Sequence, residues 1–446
     1  MARLFGTDGV RGVANTFLTC ELAMKIGRAA CEVLRREGIE KPVFVVGKDG
    51  RISGDMLESA LCAGILSRGG SVRKLGVLPT PAVATVTRKM GVSAGVVISA
   101  SHNPYEHNGI KFFNSKGFKL TDAQEEAIEE LIEESYEPLS GADIGTMYME
   151  HRALKHYTDL VLGCVDDDFS DFNIVVDCAN GATAEAAQTV FDSLNASVCY
   201  IGNQPNGTNI NEGCGSTAPA LLQKTVFERG ADIGIAFDGD GDRIIIVDEE
   251  GEVVDGDKII YILACDMQQS KQLKKACIAA TVMSNMGILA ELRKLGIDAV
   301  QTKVGDRHVL AAMLKQGYNL GGEQSGHIIL SDYNTTGDGL VTAMRFLSAL
   351  RRSGQRLSEI ANGIEKYPQV LINVFVDDEK KYLVSTDEAI TQLVAQKEEL
   401  LRGEGRVLLR ASGTEALVRV MVEGKDADLI KECAEALAEL VKTRLE

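Results

Sequence analysis

The hydrophobic pattern of this chain alternates between two periods. Short apolar, largely β-branched runs bounded by small or polar residues predict buried strands over 43–46, 75–78, 95–98, 108–113, 173–177, 233–237, 244–247, 278–282, 370–376, 406–410 and 417–422. Between them, apolar positions spaced for one helix face predict helices over 21–37, 55–68, 122–135, 257–268, 385–401 and 427–445. Thr121 with Gln124, and Ser385 with Glu388, have the spacing of capping boxes. The strand at 108–113 is expected to pair with 95–98, and 244–247 to return as the hairpin partner of 233–237. The stretch Phe5-Gly-Thr-Asp-Gly-Val-Arg-Gly12 shows no period. It reads either as a flexible arm or as a loop whose glycines let backbone N–H groups approach an anion.

The pattern repeats loosely. Three times a strand runs into a small-residue loop and a helix, and a later strand runs into a polar, chemically loaded loop. Those loops are 99–104, 238–243 and 322–327. A repeat of ~100 residues or more is far longer than a solenoid period. The expectation is an α/β fold of three related mixed α/β modules (1–150, 151–252, 253–367), each presenting one loop to a shared cleft. A C-terminal α+β domain (368–446) would follow. One large doubly wound sheet is the alternative.

Length and composition limit the function classes. At roughly 100–200 residues per domain, 446 residues suggest three or four domains. Hydrophobic (45%) and charged (25%) fractions are those of an ordinary globular protein. No apolar run approaches the ~18 residues of a membrane span, and the first residues lack a signal peptide's apolar region, so a cytoplasmic protein is expected. A net charge of −17 without a basic run argues against nucleic acid and anionic membranes as partners. Ten cysteines without a Cys-x-x-Cys pair read as small buried hydrophobes in a reducing compartment, rather than as a zinc site or disulfide frame.

Candidate chemistry sits in the loaded loops. In Ile98-Ser-Ala-Ser-His-Asn-Pro104 a strand delivers Ser101, His102 and Asn103 to its carboxyl end, where open α/β sheets bind ligands. Ser101 is the candidate reactive hydroxyl, and an ordinary Ser/Asn-Pro turn is the plain alternative. A serine nucleophile needs a base, and Lys111 on the neighbouring strand is a candidate by adjacency. In Asp238-Gly-Asp-Gly-Asp242, alternate side chains leaving a strand would share one face and gather three carboxylates. Hard oxygen ligands select Mg²⁺ or Ca²⁺. An EF-hand loop is a rival, because Glu249 falls at loop position twelve, but Arg243 stands where such a loop needs glycine. A solvated acidic turn is the third option. Arg243 could meet a phosphate beside a metal. Arg410-Ala-Ser-Gly-Thr-Glu415 joins two strands and offers a guanidinium, two hydroxyls and glycine-freed N–H groups, the inventory of a phosphate clamp or of a polar hairpin turn. Arg419 either adds to that clamp or is a surface charge. Glu323, Ser325 and His327 alternate on one loop and suit sugar hydroxyls, although each alone could be structural. Asp306, Arg307, His308 and Asp338 are weaker candidates.

Ser-Ala-Ser-His-Asn-Pro, Asp-Gly-Asp-Gly-Asp-Arg, Gly-Glu-Gln-Ser-Gly-His and Arg-Ala-Ser-Gly-Thr-Glu occur in that order along the chain, which resembles the α-D-phosphohexomutase superfamily. Phe5 to Gly12, Asn209-Ile-Asn-Glu-Gly-Cys-Gly-Ser-Thr217, Val304-Gly-Asp-Arg307 and Thr335-Thr-Gly-Asp-Gly339 point within it to the members that act on hexosamine phosphates. The resemblance implies four domains around a central cleft, with Ser101 as a phosphoserine. Asp238, Asp240 and Asp242 would hold one Mg²⁺ with the phosphoserine oxygen. Arg11, Lys111 and Arg243 would surround the transferring phosphoryl group. Glu323 and Ser325 would bind sugar hydroxyls, with His102, Asp306, Arg307 and His327 as further substrate contacts. Arg410, Ser412, Gly413 and Thr414, with Arg419, would grip the non-reacting phosphate. The implied activity exchanges phosphate between the 6- and 1-positions of a hexosamine through a 1,6-bisphosphate, feeding UDP-N-acetylglucosamine synthesis. A homodimer is compatible with it. Gly50, His308 and Ala416 depart from the residues common at those positions. Glucose or mannose phosphate as substrate, a non-catalytic phosphosugar-binding regulator and a metal-dependent phosphatase are the rival functions.

Overall fold

Three sheets share one strand plan in the computed structural model, which describes residues 4–6, 8–412 and 416–446. In the first, the parallel strands Val43–Lys48, Ser71–Val77 and Ala94–Ile98 are followed by His107–Asn114, which runs antiparallel to Ala94–Ile98. In the second, Asn173–Asp177, Ser197–Ile201 and Ile233–Phe237 are parallel and Ile244–Asp248 reverses. In the third, Cys277–Thr281, Asp298–Thr302 and Leu320–Gly322 are parallel and Ile328–Leu330 reverses. If the four strands are lettered A to D along the chain, the spatial order is D-C-A-B in every module. The reversal from C to D is the loaded loop each time. The loose echo in the sequence is therefore a repeated topology, and separate sheets replace the single large sheet held as the alternative.

The parallel strands are apolar throughout because helices cover them. Ala94–Ile98 is buried at every position, and the helices Gly54–Ser67 and Thr80–Met90 pack on its sheet. Val46, Ile98, Ile110 and Phe112 form one core with Ile26, Leu57 and Leu61 of the flanking helices.

The chain packs as two compact units, one of residues 1–283 with 296–363 and one of 284–295 with 364–446. The first holds the three sheets. In the second, Gln369–Phe375, Leu417–Gly424 and Gly405–Ala411 form an antiparallel sheet with Leu417–Gly424 in the centre. Its Val418, Val420 and Val422 pack on Ile430, Cys433, Leu437 and Val441 of the helix Ala427–Leu445. The helix Met286–Lys294 belongs to this unit: Met286 N donates to Glu423 Oε1 at 2.8 Å, and Arg406 Nη2 to the Ser284 carbonyl at 2.7 Å.

The expected pairings of 95–98 with 108–113 and of 233–237 with 244–247 are present, as is the Thr121 capping box. Four expectations are corrected. Residues 10–13 are no free arm, since Val10–Val13 adds an antiparallel strand to His107–Asn114. The strand placed at 75–78 spans Ser71–Val77, its polar first residues being paired at the sheet's edge. The helix from Asp122 stops at Leu131, short of 135. The helix Glu388–Leu400 is capped by Asp387, which accepts from Ile390 N, and not by Ser385, which lies in a preceding 3₁₀ turn.

Candidate active site

Ser101 sits one turn beyond Ala94–Ile98, buried, with φ +53. That left-handed conformation costs a non-glycine residue on the order of 1 kcal/mol and needs external support. Ser99 and Asp49 supply part of it. Ser101 N donates to Ser99 Oγ (3.0 Å), and Ser99 Oγ donates to Asp49 Oδ2 (2.6 Å). Asp49 is also ion-paired with Arg51 at 2.8 Å, both side chains being fully buried. The Lys48-Asp-Gly-Arg51 loop thus underlies the serine. In the sequence only Gly50 of this loop stood out, as a departure from the residue common there, although a charged pair between strand and helix was a readable signal.

The Ser101 hydroxyl crosses to the second module, where Oγ donates to Asp238 Oδ2 at 2.6 Å. Asp238, Asp240 and Asp242 are buried, and each offers a ligand oxygen within 4.8 Å of the others. The carboxylates converge for a reason other than the one read from the sequence. The strand ends at Phe237, and a turn with Gly241 at φ +71 brings them together. Gly239 faces the serine loop, and a Cβ there would lie 2.6 Å from the Ser101 carbonyl oxygen. Glu249 does not join the cluster, because its carboxylate bonds Ser358 Oγ (2.6 Å) and Arg356 Nε (2.9 Å). The EF-hand rival ends there.

Cations partly compensate the cluster. Lys111 Nζ, buried on the strand His107–Asn114, is 3.3 Å from Asp240 Oδ2 and 3.8 Å from Asp242 Oδ2. Thr80 Oγ1 donates to Asp240 Oδ2 at 2.6 Å. His327 Nδ1 lies 3.7 Å from Asp242 Oδ2, while its Nε2 accepts from Gly337 N at 3.1 Å. Burial, then repulsion from Asp242 and Asp240, pushes the Asp238 carboxyl well above the usual range. Burial works the same way on Asp242, but His327, Lys111 and Arg243 outweigh it and hold that carboxyl low. Burial, with Arg243 and Arg11 nearby, pushes His102 down to about 4. His102 Nδ1 is 3.3 Å from Ser101 Oγ. Among the described residues the hydrogen-bond partners of Ser101 Oγ are thus Asp238 and His102, whereas Lys111 faces the carboxylates. Asp240 Oδ1, Asp242 Oδ1, Arg11 Nε and Arg243 Nε are buried without a hydrogen-bond partner.

The third module's loop closes on the same region. Ile244 N donates to the Gly326 carbonyl at 3.1 Å. Glu323 Oε1 accepts from Gly305 N at 3.0 Å, and Ser325 is exposed. Asp306 is paired with Lys119, whose Nζ also lies 2.9 Å from Asp8 Oδ1, and Asp8 in turn lies 3.5 Å from Arg11. Arg307 turns towards the helix Asp122–Leu131, pairing with Asp122 and, at 3.6 Å, Glu125. In the second unit Arg410 and Arg419 face one another in the strand register, both exposed, while Ser412 is buried. Gly413 and Thr414 lie outside the described residues. Thr80, Lys119 and Asn211 were missed, because a lone residue inside a helix start or loop carries no sequence signal of what it meets.

The comparisons with known proteins cover the whole arrangement. Residues 2–138, 155–251 and 255–367 match the phosphoglucomutase/phosphomannomutase α/β/α domains I, II and III, and residues 371–440 match the C-terminal domain of that family. A phosphoglucosamine mutase of Ruminiclostridium cellulolyticum is 53% identical over the full length of both chains, and one of Thermoanaerobacter pseudethanolicus is 52% identical over the full length of both. A phosphoglucomutase/phosphomannomutase family protein of Burkholderia thailandensis has a similar structure (TM-score 0.79, 25% identity, 100% of this chain and 98% of that one). The N-acetylphosphoglucosamine mutase of Aspergillus fumigatus, solved with GlcNAc-6P and magnesium, shares the fold (TM-score 0.69, 17% identity, 99% and 95% covered). The chain therefore belongs to the phosphoglucomutase/phosphomannomutase family and, within it, to the phosphoglucosamine mutases.

Proposed function

We propose that this chain interconverts glucosamine 6-phosphate and glucosamine 1-phosphate in the cytoplasm, with Ser101 carrying the phosphate between them. The observation that carries this reading is the 2.6 Å contact of Ser101 Oγ with Asp238 Oδ2, at the ends of equivalent strands in two modules. Ten free cysteines suit a reducing compartment, and among the described residues no helix is long and apolar enough to cross a membrane.

The donor set fits Mg²⁺. Three hard carboxylates lie together, and Asp240 Oδ1 and Asp242 Oδ1 are buried without a hydrogen bond, the latter 3.9 Å from Arg243 Nε. Asp238, Asp240 and Asp242 would hold the ion, with an oxygen on Ser101 as a further ligand. When bound, it supplies charge neutralisation for the transferring phosphoryl group. The chain's own residues do the rest. The Oγ–P bond of phospho-Ser101 breaks as a sugar hydroxyl oxygen forms the new O–P bond, the hydroxyl proton ending on Ser101 Oγ, and a 1,6-bisphosphate results. The bisphosphate turns over, and its other phosphoryl group returns to Ser101 Oγ as that oxygen's proton passes to the freed sugar oxygen. Arg11 and Arg243, whose buried Nε–H groups make no hydrogen bond, would donate to the phosphoryl oxygens, Arg243 Nε lying 3.9 Å from Asp242 Oδ1, and Lys111 balances the carboxylates. Glu323 and Ser325 orient sugar hydroxyls, with His102, Asp306, Arg307 and His327 around them. In the second unit Arg410, Ser412, Gly413, Thr414 and Arg419 are the proposed grip for the phosphate that is not reacting.

The test combines intact mass with product analysis. Incubation with a hexose 1,6-bisphosphate and Mg²⁺ is expected to leave one phosphoryl group on the wild type and none on Ser101→Ala. That variant should bind the bisphosphate yet show no net isomerisation. Near-normal turnover by Ser101→Ala would remove the serine from the scheme. Comparing glucosamine, glucose and mannose phosphates decides the sugar, and release of free phosphate in step with substrate loss would favour a phosphatase.

A further inference from the structure

Two donors from different modules grip the same two carbonyls of the serine loop. Arg51 Nη2 donates to the Ser101 carbonyl (2.8 Å) and to the Asn103 carbonyl (2.9 Å). Asn211 Nδ2, from the second module, donates to the same Ser101 carbonyl (3.0 Å) and the same Asn103 carbonyl (3.2 Å). A carbonyl has two lone pairs, so the Ser101 oxygen is fully used by this pair. Arg51 is itself fixed by Asp49 through both its backbone N (3.0 Å) and its Nε (2.8 Å). Asn211 is fixed by its backbone N donating to the Ala179 carbonyl at 2.8 Å, and it has φ +60, a conformation asparagine tolerates. Neither side chain touches the Ser101 hydroxyl.

We infer that Asn211 and Arg51 are positioning residues for the phosphate carrier, holding the Ser101 peptide so that residue 101 keeps its left-handed conformation and presents Oγ to the carboxylate cluster. The inference rests on the reading of Ser101 as that carrier. The scheme demands such a device. The serine gives up its phosphoryl group in one half-reaction and must be found in the same place in the other. A residue at φ +53 relaxes to a commoner conformation unless its peptide is held, and a relaxed Ser101 would swing Oγ off Asp238. Because Asn211 comes from the module that supplies the three aspartates, its grip sets the serine relative to them and not merely within its own loop.

The test uses Asn211→Asp and Asn211→Ala in the full-length chain. Asp keeps the size and the backbone preference but has no N–H to donate, and Ala removes the group. With Mg²⁺ and a saturating hexosamine phosphate, kcat is expected to fall by roughly 10-fold or more, as for the loss of one to two hydrogen bonds, while KM stays within about 2-fold. The ³¹P resonance of phospho-Ser101 should shift or broaden in both variants. If Asp does not fold, Ala decides. Wild-type kcat and an unmoved ³¹P resonance in a folded variant would overturn the inference, as would a rise in KM with kcat unchanged. Ser101→Ala runs alongside. If it retains turnover, the carrier reading has failed. If it is inactive while the Asn211 variants behave as wild type, only the positioning inference has failed.

Discussion

Lys119 places its ammonium on the carboxylate of Asp306, 187 residues further along the chain, and shares it with Asp8 at 2.9 Å. Lys119 and Asp306 are largely buried, and Asp8 is the more open partner. The pair joins the first module to the third, and through Asp8 it reaches Arg11. Burial opposes the lysine's charge, but Asp306 and Asp8 outweigh it and raise its pKa. Burial likewise opposes Asp8, but Lys119, Lys111 and Arg11 hold it well below the usual range.

A pH signature follows from those signs. A raised lysine stabilises fully below its unfolded pKa, roughly 10.4, and the contribution is lost as pH rises through the folded value. A depressed aspartate stabilises above its unfolded pKa, roughly 3.9, and the contribution is lost as pH falls through the folded value. The cluster therefore works across the window between them. Lys119→Met leaves two carboxylates without their ammonium and is expected to cost about 3–5 kcal/mol at neutral pH. The deficit should shrink as pH falls towards about 4, because carboxylates left buried without the ammonium take up protons above their unfolded pKa. Urea unfolding of both proteins at pH 7 and at pH 4 checks this, and an equal deficit at both would show that packing, not charge, makes the difference.

Metal removal should act on stability as well as on turnover. Asp238, Asp240 and Asp242 repel one another inside the protein, and Asp238 bears the burden as a raised pKa. With a chelator present, Asp238→Asn is expected to be more stable than the wild type, by on the order of 1 kcal/mol. With Mg²⁺ at a hundred times its Kd, the wild type gains about 2.7 kcal/mol by linkage and the order reverses. Thermal melts with and without Mg²⁺ read both signs, and a wild type indifferent to Mg²⁺ would count against the cluster as its site.

What the sequence made legible was which contiguous motifs would come together. Ser101 and the three aspartates each announce themselves within a few residues, and the strands that deliver them are short apolar runs. What stayed hidden was long-range pairing. Nothing near Thr80 indicates that its hydroxyl will meet Asp240, 160 residues away, nor near Asn211 that it will hold the serine loop, 110 residues back. The strand Val10–Val13 escaped for a related reason. A glycine and an arginine between its two valines give it no apolar period, and it exists because the edge of His107–Asn114 offers a partner. Even the carboxylate cluster was expected from strand alternation, whereas a glycine turn builds it.

The Asn334-Thr-Thr-Gly-Asp338 segment is one place where the three modules meet. Asn334 Nδ2 donates to the Pro81 carbonyl in the first (3.2 Å) and to Asp338 Oδ2 (2.7 Å), and Tyr157 OH in the second donates to Asp338 Oδ1 (2.7 Å). Tyr157 is fully buried, so Tyr157→Phe leaves its shape and removes one donor from a buried carboxylate. The expected cost is about 1–3 kcal/mol, seen as a lower midpoint in denaturant with KM nearly unchanged. A variant as stable as the wild type would mean that water replaces the hydroxyl there.

Gly239 lies between two of the aspartates and directly under the serine. A Cβ at this position would stand 2.6 Å from the Ser101 carbonyl oxygen, 2.8 Å from Asn211 Nδ2 and 2.8 Å from Ile210 Cδ1. The carbonyl is held by Arg51 and cannot retreat without moving residue 101. Gly239→Ala must therefore push the serine loop and the carboxylate turn apart, on the side where Oγ and Asp238 now meet. A displacement near 1 Å at a reacting centre costs roughly 100-fold in rate. The substitution lies in a turn outside the packed sheets, so the loss in kcat is expected with the fold and the cooperative unfolding transition intact. Steady-state kinetics beside a denaturant melt separates the two effects. A Gly239→Ala enzyme within a few-fold of wild-type kcat would mean that the two loops need not touch for the transfer to proceed.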